Sequence, residues 1–437
     1  MRKLESPYLK LIDLLLRNPR EQEINILNAH PELVNQELIS HLMSIGERLR
    51  RSGEINPAER LINLASKLLQ LEKTNTSANQ RNQRNQRKKY FEFLMNLLQQ
   101  VSNELPTAEI YALIRDNPDK FDQNTTKILK YWANETILSV EPGKGKSIAL
   151  DLINFGNLLS VYPAGDKSNN IELAIVCYQA ALKIYQPTTL PKDWAMIQSN
   201  LGNAYRDRIV GSRRENVEQA IATYHLALEV ITKGKYPHIW GSIQRNLGIA
   251  YSYRVNGSRE KNIEQAIACY QRTLSVHTLE DYPQDWASTN NNLGDLYPNR
   301  LLGNRAENIE IAISHLEQAL TVFTLVKNPD RWAMLQNNLG NAFQARINGD
   351  KESNIERSIS HYQNALSIHT LEEFPYNWAM LNNNLGGAHR HRVKGDQSEN
   401  KQKAIAFLNK ALLVYNKERF PRQWAEIRHN LNNIMKE

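Results

Sequence analysis

The chain is poor in cysteine, in long apolar runs and in any strand-like alternation. Of its 437 residues only Cys177 and Cys269 are cysteines, so no disulfide framework is implied. No apolar run approaches the ~18 residues a membrane-spanning helix needs, and Leu14 to Leu16 is followed at once by Arg17. The start of the chain also lacks the charged, apolar and small-residue succession of a signal peptide. A cytoplasmic, reduced protein is therefore expected. Period-two alternation is missing throughout, which argues against sheet and for an all-α fold. Wholesale disorder is excluded too, because 41% hydrophobic and 23% charged residues suit a chain that buries a core.

The net charge of +8 is unevenly spread. Thr74 to Lys89 carries Arg81, Arg84, Arg87, Lys88 and Lys89 with no acid, so five of the eight charges sit on sixteen residues. The segment has no aromatic or branched aliphatic residue and cannot bury enough apolar surface to offset its chain entropy, so a disordered linker is expected over 73–89. Its cations make nucleic-acid binding one alternative for the protein, although no aromatic interleaves with them for stacking.

What the chain does have is a period. Trp194, Trp240, Trp286, Trp332, Trp378 and Trp424 are each 46 residues apart. Glycines follow the same register: Gly156, Gly202, Gly248, Gly294, Gly340 and Gly386 form one series, and Gly165, Gly211, Gly257, Gly303, Gly349 and Gly395 a second. Proline stands three residues before each of the six tryptophans. Such self-similarity marks a solenoid, and each repeat contains two amphipathic helices. In the first, Trp332, Leu335, Leu339, Ala342 and Phe343 recur at helical spacing. Pro329 precedes that helix, and Gly349 is expected to cap its end. Asn170, Asn216, Asn262, Asn308, Asn354 and Asn400 are expected to cap the second helices. Pro298 should end its helix early.

The spacing of Leu201, Gly202, Tyr205, Ala220, Tyr224, Ala227 and Pro237 resembles the tetratricopeptide repeat (TPR). The Trp stands eight residues before the Gly instead of the family's four, so the first helix is expected to be one turn longer. The repeat also exceeds the ~34 residues of ordinary TPRs. The Asn-Asn-Leu-Gly of 291–294, 337–340 and 383–386 is similar to kinesin-light-chain-like TPRs. The resemblance implies a right-handed superhelix over 146–437, six repeats and a capping helix, preceded by a small helical domain over 1–72 and a helical lead-in over 90–145. The stretch Tyr8 to Val34 resembles the leader of long-period arrays in cyanobacterial proteins. There the array is often followed by a caspase-like CHAT peptidase domain. The expectation here is a free-standing array, with any CHAT-type peptidase acting in trans.

One asparagine series is the leading candidate for function: Asn154, Asn200, Asn246, Asn292, Asn338, Asn384 and Asn430, each two residues before the Gly register. In TPR arrays this register faces the concave groove or lies close to it. A side-chain amide can bond both sides of an extended peptide backbone without reading its sequence. The same periodicity would follow if each amide only fixed repeat-to-repeat packing. Specificity is expected from the varied positions around the series, among them Asn203, Arg206, Arg245, Asn337, Asn341 and Arg390, in a polar and mildly basic groove. Asp295 belongs to one of these rows. Arg208, Arg254, Arg300, Arg346 and Arg392 also repeat, with Glu218, Glu264, Glu310 and Glu356 as partners.

No catalytic set, metal site or cofactor is expected. Glu141 to Ser147 has a superficial likeness to a phosphate-binding loop but lacks the first glycine and a preceding strand. Cys177 and Cys269 share a register two repeats apart, too far to pair. His389 and His391 point in different directions on one helix. The protein is therefore expected to be a non-catalytic scaffold binding a peptide or partner loop. The alternatives are nucleic-acid binding through the basic segment and groove arginines, and a regulatory or substrate-presenting role for a CHAT-type peptidase.

Overall fold

The computed structural model describes residues 7–436, and the side chains of these outside 71–84. Every regular element among the described residues is helical. The chain forms two compact units, Met1–Leu94 and Met95–Glu437. In the first, helices α1 (Pro7–Arg17), α2 (Glu23–Asn28) and α3 (Gln36–Arg51) pack with the start of α4 (Ile55–Ser102). Leu11, Leu15, Leu38, Leu42 and Leu61 form its buried centre. The apolar stripes of the sequence are what bring these helices together. Arg60 Nε donates to Glu23 Oε1 at 2.6 Å. Most of the basic segment lies outside the described side chains. Its described end, 85–89, belongs to α4 and is exposed, where an irregular linker was expected. No Pro or Gly interrupts that stretch, and Gln, Arg and Lys are good helix formers.

The second unit opens with α5 (Thr107–Arg115) and α6 (Gln123–Thr136). Six helix pairs follow. They are α7 (Pro142–Val161) with α8 (Lys167–Ala181), α9 (Pro191–Asp207) with α10 (Arg213–Val230), and α11 (Pro237–Tyr253) with α12 (Arg259–Leu274). Next come α13 (Pro283–Leu296) with α14 (Arg305–Leu320), α15 (Pro329–Ala345) with α16 (Lys351–Leu366), and α17 (Pro375–Arg390) with α18 (Gln397–Leu412). The last helix is α19 (Pro421–Lys436). Each second helix packs on its own first helix and on the next one, so the unit is a TPR-like helical solenoid.

Elementary constraints set the pairs. The repeated prolines begin six of the first helices, where a missing N–H costs nothing and φ is already helical. Helices α9, α11 and α15 run 17 residues, with the Trp in the first turn. Gly202 lets α9 and α10 touch: a Cβ there would lie 2.6 Å from the Tyr224 ring. Pro298 ends α13 at Leu296, after 14 residues, and a single 3-10 turn follows.

Two expectations at the helix junctions need correction. The N-cap positions of the second helices are held by Asp166, Ser212, Ser258, Asn304, Asp350 and Asp396, four residues ahead of the asparagines expected there, and all but Ser212 accept a first-turn N–H through the side chain. Those asparagines are buried in the first turn and fold back on the preceding loop. Asn216 Nδ2 donates to the carbonyls of Arg208 (3.2 Å) and Val210 (2.9 Å). Asn262 bonds Arg254 and Asn256 in the same way. The second glycine series does not cap the first helices. The chain leaves α9 at Asp207, and Gly211 sits one residue ahead of the Ser212 cap. Its φ of +83 is a left-handed conformation that Gly adopts without strain. The Asn clamp holds the loop in that shape.

The repeating arginines lock one repeat to the next. Arg254 grips Glu218 with two bonds, Nε to Oε1 at 2.7 Å and Nη2 to Oε2 at 2.8 Å. Arg300–Glu264, Arg346–Glu310 and Arg392–Glu356 repeat this fork. Arg208 pairs with Glu172, a member of the series that the sequence reading did not assign. Bonding to its arginine holds the carboxyl of Glu218, Glu310 and Glu356 below the ordinary glutamate range.

Candidate interaction groove

First helices of neighbouring repeats approach one another directly, α7 to α9 and on through α15 to α17, whereas successive second helices do not to the same extent. The first helices are therefore the inner layer of the stack. Side chains on their free faces define the candidate site.

Bonds between repeats run through the expected asparagine series. Asn200 Nδ2 donates to Asn157 Oδ1 at 3.0 Å, and Asn246 Nδ2 to Ser199 Oγ at 3.4 Å. Asn338 Nδ2 donates to Asn291 Oδ1 at 3.0 Å. Asn384 Nδ2 reaches Asn337 Oδ1 at 3.0 Å and Asn341 Oδ1 at 3.2 Å. In each case the donor end of the amide is spent on the preceding repeat. The acceptor oxygens of Asn200, Asn246 and Asn384 keep no protein partner among the described residues. Asn292 makes neither bond and lines a cleft.

The varied positions fall into two groups. Asn203 and Asn341 are tied to the second helices: their Oδ1 atoms accept from Tyr224 and Tyr362, each at 2.7 Å. Asn337 is buried and bonds Asn338. Arg206 forks onto its neighbour Asp207, and Arg245 Nη1 meets Asp285 Oδ1 at 2.8 Å, so neither arginine is unneutralised. Arg390 is half-buried in the last turn of α17. The carboxyl of Asp295 is pushed above the ordinary range by the surrounding protein.

Reasoning from sequence missed a cleft of about 290 Å³ between α13 and α15. It is lined by Ser288, Asn291 and Asn292 of α13 and Asp330, Arg331, Met334 and Leu335 of α15, together with Phe323. Arg331 donates to Ser288 Oγ at 3.1 Å and lies 5.0 Å from the Phe323 ring centre. A cation, an unpaired amide and an apolar wall meet here. Residue period gives no hint of it, because Arg331, Phe323 and Asn292 are brought together only by stacking.

The lookalikes of catalytic motifs resolve into structure. Glu141 to Ser147 is the N-cap and first turns of α7. Cys177 and Cys269 are buried, and burial pushes the Cys269 thiol up to about 11, far from a reactive thiolate. His389 is buried and stacks on Phe407, with a centroid distance of 5.3 Å, while His391 is exposed.

No family model matches the chain, and no curated protein matches it. Among solved structures it is similar to the APC/C hetero-tetramer Cut9–Hcn1, at 15% identity and a TM-score of 0.36, over 98% of this chain and 89% of that one. It is also similar to a circular tandem repeat protein with a novel repeat topology, at 12% identity and a TM-score of 0.19, over 98% of this chain and 96% of that one. At these scores the similarities carry no functional argument. No helix of the described residues is long and apolar enough to cross a membrane.

Proposed function

We propose that the chain is a non-catalytic interaction scaffold whose inner layer holds an extended peptide or partner loop chiefly by its backbone. One observation carries this reading: Asn200, Asn246 and Asn384 spend their donors on the preceding repeat and keep acceptor oxygens with no protein partner among the described residues. An amide fixed at one end by a neighbour is pre-organised to accept a peptide N–H at the other, which lowers the ordering cost of binding. The packing role and the binding role of the series are thus two ends of the same side chains. The cleft at Asn292 and Arg331 is the natural seat for one acidic or aromatic anchor of the partner. The basic segment over 73–89 would then serve as a tether between the N-terminal helices and the array.

A displayed random peptide library selected on the full-length protein tests this. Peptides that bind wild type should lose affinity about tenfold with Asn292→Ala, the cost of one or two hydrogen bonds. Recovery of no binders, or of binders indifferent to Asn200→Ala, Asn246→Ala, Asn292→Ala and Asn384→Ala alike, would overturn it. The readings as a nucleic-acid binder and as a partner of a CHAT-type peptidase rest on sequence alone, and no feature of the groove favours them.

A further inference from the structure

The boundary between the third and fourth repeats contains a side-chain cluster that no other boundary repeats among the described residues. His238 opens α11, His277 follows α12, and Asp285 lies in the first turn of α13. His238 Nδ1 and His277 Nε2 are 3.0 Å apart, and one ligating atom from each of the three residues falls within 4.8 Å of the others. Tetrahedral zinc with bonds of ~2.0–2.1 Å has neighbouring ligand atoms about 3.3 Å apart. The two imidazoles therefore already stand at the spacing of one tetrahedral edge. Two imidazoles and a carboxylate are a donor set suited to zinc.

The surroundings are arranged for these donors. Every other tryptophan of the series is followed by Ala, at Ala195, Ala287, Ala333, Ala379 and Ala425, but Trp240 is followed by Gly241. A Cβ at Gly241 would lie 2.8 Å from His277 Nε2 and 2.6 Å from Val276. The missing methyl is what allows His277 to settle against α11 and reach His238. Tyr282 stacks flat on His238 at 4.2 Å, which fixes the orientation of that ring. Arg245 holds Asp285 through Oδ1 at 2.8 Å, and a carboxylate oxygen of Asp285 lies within 4.8 Å of the histidine nitrogens. His277 is fully buried, and its Nδ1 has no partner, so no hydrogen bond on that side locks the ring's tautomer. Its Nε2 also lies 3.0 Å from the His238 carbonyl oxygen, a contact that an incoming ion would replace.

The equivalent place two repeats later makes the contrast. His369 Nε2 meets Asp330 Oδ1 at 2.7 Å, but Asn377 stands in the register of Asp285 and Ala333 in that of Gly241. That pair is complete as a hydrogen bond and offers no third donor.

We propose that His238 Nδ1, His277 Nε2 and an Asp285 carboxylate oxygen bind one divalent transition-metal ion of the zinc type, which staples the third repeat to the fourth. A water completes the coordination on the side where His238 is half-exposed. The ion would stiffen the array ahead of the α13–α15 cleft, but its binding stands apart from any peptide.

The test uses the full chain stripped of metal with a chelator and titrated with Zn²⁺ by calorimetry. Cobalt(II) serves as the visible-absorption probe. The expected result is one Zn²⁺ per chain, a higher melting temperature with zinc, and the intense visible bands of four-coordinate cobalt. His238→Ala should weaken binding at least about 100-fold and abolish the zinc-induced melting shift. Gly241→Ala, acting on the ligand's position, should weaken it about tenfold, within the range for supporting residues. His369→Ala should leave zinc binding unchanged. Should His238→Ala melt like wild type without zinc yet bind the ion equally well, the assignment fails. It fails equally if wild type takes up only weak, multiple ions or gives no four-coordinate cobalt spectrum.

Discussion

The loop rim and the inner face of the same repeats follow opposite rules. On the rim, the arginine–glutamate forks and the asparagine clamps recur with the same residue types and close nearly all of their hydrogen bonds inside the protein. Along the inner face the residues change from repeat to repeat: the register of Ser199 holds Arg245, Asn291, Asn337 and Asn383. Bonds there are left half-made, and Asn383 Oδ1 is buried without a partner. Where a row is periodic and closed, it builds the stack. A varied and open row is available to something else. Asn200, Asn246 and Asn384 belong to both, closed at nitrogen and open at oxygen among the described residues.

That contrast is broken most forcefully through the core beneath both faces. Tyr224→Ala removes a fully buried ring from between α9 and α10, and should cost about 3–5 kcal/mol in chemical denaturation. Asn262→Ala strips the clamp from two loop carbonyls and should cost about 1–3 kcal/mol, with no loss of selected peptide. Glu310→Gln should cost about 1 kcal/mol or less, because the pair with Arg346 is only partly buried. On the inner face, Asn292→Ala should alter stability by less than about 0.5 kcal/mol while weakening peptide binding, the reverse of the rim variants.

Acid titration sharpens the same comparison. Burial lowers His361 to about 4, so its contribution is present above the free histidine value of about 6.5 and fades as pH falls from there to about 4. The lowered Glu218, Glu310 and Glu356 contribute above about pH 4.3 and lose their effect only below it. Denaturation against pH should therefore show an early loss that His361→Gln removes, and a later one that Glu310→Gln diminishes.

Much of this architecture is legible in the residues, and the parts that are not share a cause. The period, the proline starts, the Gly202–Tyr224 contact and the early end at Pro298 all follow from spacing within one or two helices. The second-helix caps are hidden because Asp, Ser and Asn do the same job and mask a periodic position behind changing letters. The buried asparagine series is more conspicuous, because its letter never changes. Glu172 lies 46 residues before Glu218, in a repeat that lacks the register tryptophan, so the tryptophan period does not point to it. The Asn292–Arg331 cleft and the His238–His277–Asp285 cluster depend on stacking between repeats, over separations such as 39 residues that no local motif records. Gly241, the one glycine in a register of alanines, was the available signal.

The central claim is that the inner face holds a peptide by its backbone N–H groups. N-methylation scanning of a selected peptide, with affinity measured on the full-length protein, tests it most directly. Methylation at alternate residues should reduce binding about tenfold or more at several positions, while most side-chain replacements away from the anchor should change it little. A peptide that tolerates methylation throughout and depends only on its side chains would contradict the claim.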